Sequence, residues 1–105
     1  MNIQFEYLYR DAGNFKSWGE IVFSNPSDIS SEAATIKIRR RLIENTYFVA
    51  ERVNVPDLHF PDYKANLDHD WHEFHAFVET NELATDKENR TIEEFLKEFH
   101  LASRV

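Results

Sequence analysis

The chain has 105 residues, of which 42% are hydrophobic and 14% aromatic, so we expect one compact domain over 1–105 with an apolar core, not a disordered chain. It contains no cysteine, which excludes disulfides, thiolate metal sites and cysteine nucleophiles. Twelve basic and 19 acidic side chains give a formal charge of −7, and this excess of negative charge opposes general binding to nucleic-acid phosphates.

The first half of the chain predicts two strands followed by a helix. Residues 2–10 alternate between apolar and polar side chains with a period of two, which is typical of a β-strand. A turn signal at 11–14 leads into a second apolar stretch at 17–24, so these two strands should form a hairpin. A helix is predicted from about Ser30, whose hydroxyl can cap the first turn, to about residue 44.

The second half predicts two further strands and a second helix. Residues 46–53 are rich in β-branched and aromatic side chains and are interpreted as a strand, and 54–70 as a long loop. Residues 71–80 are interpreted as a fourth strand, although their apolar spacing also fits a helix. Thr91 and Glu94 form a capping box that opens the last helix. The order ββαββα predicts an α+β fold, in which a small four-stranded, mainly antiparallel sheet carries two helices on one face.

The stretch 68–75 packs three histidines and three carboxylates into eight positions. Zinc, iron and manganese bind imidazole and carboxylate groups. The candidate metal ligands are His69, Asp70, His72 and His75. On a strand His72 and His75 point to opposite faces, whereas on a helix they would share one face. No His-Glu-x-x-His motif is present, so we favour the structural alternative, in which these histidines lie at the rim of the sheet, and we predict no metal or other cofactor.

Aromatic side chains are more numerous than one small sheet face needs. Aromatic anchors inside an acidic rim are typical of a protein-binding hot spot, although some rings can simply cover the ends of the core. The predicted binding residues are Trp18, Phe60, Tyr63, Trp71, His72, Glu73 and His75.

The sequence supports three functional hypotheses. The first is a small protein-interaction domain, accessory or inhibitory in the manner of immunity proteins and antitoxins, which binds a protein partner through the acidic loop and strand at 54–75. The second is a small hydrolase, metal-dependent or based on histidine and carboxylate, that uses the 68–75 cluster. The third is a homodimeric structural domain that acts through self-association. The chain shows no signal peptide and no apolar run of membrane-spanning length, so we expect a cytoplasmic protein that does not bind membranes.

Overall fold

The computed structural model of the chain describes residues 1–61, 63 and 69–102, with the backbone alone at 100–102. The elements in chain order are strand β1 (Asn2–Arg10), strand β2 (Lys16–Phe23), helix α1 (Ser31–Arg39), strand β3 (Tyr47–Phe48), a 3₁₀-helix (Ala50–Val53), strand β4 (His72–Thr80) and helix α2 (Ile92–Ala102). The strands form one antiparallel sheet in the order β2-β1-β4-β3, which confirms the predicted fold class and element order. No helix within the described ranges is long and apolar enough to cross a membrane.

The predicted hairpin of β1 and β2 is confirmed, with pairing from Ile3 opposite Phe23 at the open end to the turn. The turn is closed by Asp11, whose carboxylate accepts the Phe15 amide at 2.9 Å. The left-handed backbone conformation that the turn requires is adopted by Asn14, at φ 68°. Asparagine tolerates this conformation better than most residues, so the turn does not depend on the neighbouring glycine.

Both helices begin where the sequence places them. The Thr91 amide donates to the Glu94 carboxylate at 3.0 Å, and the Glu94 amide donates to the Thr91 hydroxyl at 3.1 Å, so the capping box is formed. The Ser30 hydroxyl caps α1 by accepting the Ala33 amide at 3.0 Å. Helix α1, however, ends at Arg39, earlier than the predicted residue 44.

The early end of α1 follows from a tight reversal before β3. Glu44 and Asn45 both adopt positive φ, and Ile43 and Tyr47 exchange backbone hydrogen bonds of 2.8 Å across them. A helix that continued to residue 44 would be incompatible with this turn.

The strand predicted at 46–53 is mostly wrong. Only Tyr47 and Phe48 pair with β4, and the chain then forms the 3₁₀-helix. Ala50 and Val53 are both buried, and a spacing of three fits a 3₁₀ turn but not the alternation of a strand.

Strand β4 does not alternate regularly between the two faces of the sheet. A register shift places Phe74 opposite Tyr7 but Phe77 opposite Phe5, so Phe74 and Phe77 face the core together. Val78, which regular alternation would place on the same face as Phe74, is exposed over 42% of its surface. The irregularity inserts one residue, and this explains why the segment has partly helical spacing.

The hydrophobic core lies between the helices and the face of the sheet that carries Ile3, Phe5 and Tyr7. Phe95 of α2 stacks on Phe23 at 4.1 Å and meets Phe5 edge-on at 4.9 Å. The segment 54–61 covers the other end of this sheet face. The Tyr7 hydroxyl fixes the segment in place by donating a hydrogen bond to the Pro56 carbonyl at 2.7 Å.

A glycine is required where segment 54–61 crosses β2. A Cβ on Gly19 would lie 2.9 Å from the Tyr7 ring and 3.0 Å from the Leu58 side chain. The segment predicted as a long loop is therefore partly packed against the sheet, with Val55 buried and Leu58 partly buried against the core.

Candidate functional site

The structure places the candidate residues on two opposite sides of the sheet. On the core side, at the edge of segment 54–61, lies a group that we call the His–Asp cluster: Asp57, His59, Asp70 and His72. On the other side lies the sheet face away from both helices, which we call the open face, with Glu6, Trp18, Glu20, Trp71, Glu73 and His75.

His72 is the buried centre of the His–Asp cluster. It stands at the start of β4, paired with Tyr9 on one side and Phe48 on the other, and only 1% of its surface is exposed. Its Nε2 accepts the Leu58 amide at 3.0 Å, which leaves the proton of the neutral ring on Nδ1. Burial lowers the pKa of His72 to about 4, and the nearby charge of Asp57 opposes this only in part, so the ring is neutral at pH 7.

Asp57 lies between the two imidazole rings of the cluster. One carboxylate oxygen is 2.8 Å from Nδ1 of His59, and the other is 3.6 Å from Nε2 of His72. The same carboxylate accepts the backbone amide of His59 at 2.8 Å, which fixes the local turn. Because Nε2 of His72 carries no proton, its contact with Asp57 brings together two electron-pair donors and is not an ion pair.

Aromatic rings hold His59 in place. Tyr63 stacks on it with ring centroids 3.8 Å apart, and Tyr9 meets it edge-on at 4.5 Å. Nε2 of His59 lies 3.3 Å from a carboxylate oxygen of Asp70, but the alignment is not that of a hydrogen bond. Among the described side chains, Nε2 of His59 and Nδ1 of His72 are the buried polar atoms without a hydrogen-bond partner.

The four metal ligands named in the sequence hypothesis do not converge. His75 lies on the open face against Trp18, whereas His72 faces the core. His69 is exposed, and its Nδ1 accepts the Trp71 amide at 3.1 Å. Asp68, which belongs to the predicted 68–75 cluster, lies outside the described residues.

Asp57 and His59 complete the cluster, although neither was among the predicted ligands. Their spacing of two in an extended segment is the signal that points to them, since alternate residues of extended chain share a side. Their approach to His72 depends on how segment 54–61 folds back over the sheet, and no local pattern encodes that path.

The open face carries two carboxylates side by side. Glu6 and Glu20 are directly opposite each other on β1 and β2, and no basic side chain in the described ranges forms an ion pair with either. They line an open depression of about 450 Å³ together with Trp18 and His75, whose rings meet edge-on at 5.0 Å. Trp18 is exposed over 53% of its surface.

A second depression of about 280 Å³ lies at the β3 end of the same face. It is lined by Glu44, Tyr47, His69 and Trp71, and the rings of Tyr47 and Trp71 are 5.3 Å apart. Between the two depressions, Glu73 is neutralised by Arg10, with an Nε to Oε2 distance of 2.8 Å.

The predicted aromatic patch is therefore divided. Trp18, Trp71, Glu73 and His75 belong to the open face. Phe60 and Tyr63 pack near Tyr9 on the cluster side, with centroid distances of 6.5 and 6.3 Å.

Comparison of the chain with protein-family models, with curated proteins and with solved structures finds no match. Function has to be argued from the chemistry of the open face and of the His–Asp cluster. The open face is the larger of the two and offers aromatic and acidic groups to solvent. The cluster is small, partly buried and rich in metal-binding atoms.

Proposed function

We propose that the protein is an interaction domain that binds a basic protein partner through its open face. The observation that carries this proposal is the unneutralised pair of Glu6 and Glu20 beside the half-exposed ring of Trp18. A partner of this class presents lysine or arginine next to apolar side chains.

Within the fold, Glu6 accepts one hydrogen bond from the Gln4 side chain at 2.9 Å, and no described cation neutralises the acidic pair. Like charges directly opposite each other on neighbouring strands are destabilising, typically by a few tenths of a kcal/mol up to about 1 kcal/mol. A lysine or arginine placed in the depression relieves this repulsion by pairing with Glu6 and Glu20. It also lies next to the Trp18 ring, and cation–π contacts contribute about 0.5–2 kcal/mol.

The rest of the open face suits the same partner. Trp71 and Tyr47 provide a second aromatic contact next to Glu44. Tryptophan and tyrosine are over-represented among the residues that dominate binding energy at protein interfaces. The formal charge of −7 accelerates encounter with a basic protein.

Self-association through this face is less favourable. In a two-fold homodimer each copy presents the same patch to the other, so Glu6 and Glu20 of one chain would face the acidic surface of its mate. The repulsion would then increase upon association, whereas a basic partner removes it.

A defined basic peptide tests the proposal. We expect a synthetic peptide of alternating leucine and arginine to shift the NMR resonances of Trp18 and His75, and a leucine–glutamate peptide of equal length to shift neither. The double variant E6Q/E20Q and the variant Trp18→Ala should each weaken binding by about fivefold or more.

Matched controls are available away from the open face. Glu32→Gln removes an exposed carboxylate on α1, and Phe15→Ala removes an exposed ring in the hairpin turn. The single variants E6Q and E20Q each remove one charge, as E32Q does. Equal weakening by all three would show that the peptide senses only net charge, and the proposal would be wrong. Sedimentation that reveals a concentration-dependent dimer, disrupted by Trp18→Ala, would favour the homodimer hypothesis instead.

A further inference from the structure

We propose that Asp57, His59 and His72 bind one divalent transition-metal ion, and that zinc is the ion best matched by two imidazoles and one carboxylate. This site lies on the opposite side of the sheet from the open face, so it goes beyond the proposed interaction function and can fail independently of it. It also differs from the ligand set that the sequence suggested.

The donor atoms are already close to the required spacing. One ligand atom from each of the three residues lies within 4.8 Å of the others. In a tetrahedral zinc site with bonds of about 2.1 Å, neighbouring ligand atoms are about 3.4 Å apart. The two oxygens of Asp57 are at comparable distances from the imidazoles, with Oδ2 at 2.8 Å from Nδ1 of His59 and Oδ1 at 3.6 Å from Nε2 of His72. Two adjustments remain: a movement of the Asp57 side chain, which is 60% exposed, and release of Nε2 of His72 by the Leu58 amide.

The charges at the site favour a cation. Asp57 and Asp70 both contact His59, and neither forms an ion pair with a lysine or arginine in the part of the chain that the structure describes. Metal binding requires an unprotonated imidazole. Nε2 of His72 accepts the Leu58 amide at 3.0 Å, so it already presents a lone pair and carries no proton.

Asp70 occupies the position of an outer partner. Ligating histidines usually donate the proton of their second ring nitrogen to a carboxylate or carbonyl, and this fixes the ring orientation. With Nδ1 of His59 on the metal, Nε2 is left facing Asp70 at 3.3 Å, where a small rotation completes a hydrogen bond. This accounts for a buried nitrogen that otherwise lacks a partner.

The surrounding structure positions the ligands in advance. His72 is fixed by the pairing of β4, and the ring of His59 packs against the rings of Tyr9 and Tyr63. The carbonyl of Pro56, next to Asp57, accepts a hydrogen bond from the Tyr7 hydroxyl. Asp57 faces solvent, so the fourth coordination position is open to water. Three protein ligands with an open position are characteristic of catalytic zinc sites, whereas structural sites are closed by four.

The test is a zinc titration of the full chain without a purification tag, by calorimetry and by competition with a chromogenic chelator. We expect one ion per chain. His59→Gln and Asp57→Asn remove ligands at the surface of the cluster and should weaken binding more than a hundredfold, whereas Asp70→Asn should weaken it about 10- to 100-fold. The matched controls are His69→Gln and His75→Gln, which remove histidines that the structure places outside the ligand set.

A structural readout distinguishes this site from any other. Coordination by Nε2 of His72 has to displace the Leu58 amide, so the amide resonance of Leu58 should shift and exchange faster with solvent when zinc is added. Circular dichroism of each variant confirms that it remains folded. Absence of stoichiometric binding, or binding that survives H59Q and D57N but is lost in H69Q or H75Q, would overturn the proposal.

Discussion

Removal of the Arg90 side chain should damage the fold severely, because Arg90 is an almost buried cation with several partners. Its guanidinium donates to both carboxylate oxygens of Asp86 at 3.0 Å, to the Val53 carbonyl at 2.7 Å and to the Asn54 carbonyl at 2.8 Å. It also lies 5.1 Å from the ring centroid of Phe95. The residue therefore ties the start of α2 to the 3₁₀-helix and to the segment that leads into the His–Asp cluster.

Arg90→Met keeps most of the apolar stem and deletes every donor of the guanidinium. The substitution leaves the buried Asp86 carboxylate without its cation, with the backbone amide of residue 90 still donating to it at 2.9 Å, and it removes the guanidinium donors of two carbonyls. Breaking a buried ion pair in this way costs about 3–5 kcal/mol. That loss is a large fraction of the total stability of a domain of this size, which is commonly about 5–15 kcal/mol. Urea unfolding followed by tryptophan fluorescence measures the change in the free energy of unfolding.

The pH dependence provides a second check on the same reasoning. Burial alone would raise the pKa of Asp86, but its hydrogen bonds to Arg90 and the charge of Arg90 lower it overall. A carboxyl group with a depressed pKa in the folded state stabilises the fold above its unfolded pKa of about 3.9, and this contribution is lost as the pH falls through the folded value. The difference in stability between the wild type and R90M should therefore shrink below about pH 4.

A double-mutant cycle with Asp86→Ala isolates the pairwise interaction. Because each single variant leaves its partner uncompensated, the double variant should be more stable than the sum of the two single losses predicts, by about 1–3 kcal/mol. A loss of less than 1 kcal/mol in R90M, or strict additivity in the cycle, would refute the view that this buried pair supports the fold.

Two further substitutions test the open face and the crossing over β2. Glu20→Gln should raise the free energy of unfolding by about 0.2–1 kcal/mol, because it relieves the repulsion with Glu6. Denaturant unfolding at low and high salt measures the change. A destabilised variant would show that the acidic pair stabilises the fold. Gly19→Ala should destabilise the protein by about 1–3 kcal/mol in the same assay, because the new methyl group would overlap the Tyr7 ring and displace Leu58. An unchanged midpoint of denaturant unfolding would contradict this packing.

The fold class could be predicted because its signals are local and mutually consistent. The period of two in β1 and the capping box of Thr91 and Glu94 each specify an element without knowledge of the rest of the chain. The element order then limits the arrangement to a sheet with helices on one side.

The features that could not be predicted depend on contacts between distant segments. The irregularity in β4 that turns Phe77 toward Phe5 exists because β1 lies alongside, and the 3₁₀-helix is fixed partly by Arg90, which lies 37 residues after Val53. No local pattern in the polar stretch 81–90 marks Arg90 as buried, because its burial is set by tertiary structure.

The candidate sites likewise contain some residues that the sequence predicted and others that only the fold brings together. His72 and Glu73 were predicted as part of one binding region, yet His72 faces the core whereas Glu73 lies on the open face, because residues that are adjacent on a strand belong to opposite faces. The ligand set at 68–75 was inferred from proximity along the chain. The cluster that the fold assembles instead takes Asp57 and His59 from 54–61 and adds them to His72.

Strand β1 separates the two proposed sites through alternation alone. Tyr7 and Tyr9 face the core side, where they hold the segment that carries the metal ligands, whereas Glu6 faces the open side with Glu20. A slip of one residue in the pairing of β1 would exchange these two sets and destroy both sites together. Substitutions that keep the register, by contrast, should affect one site without the other, so partner binding and zinc binding can be measured as independent properties of a single sheet.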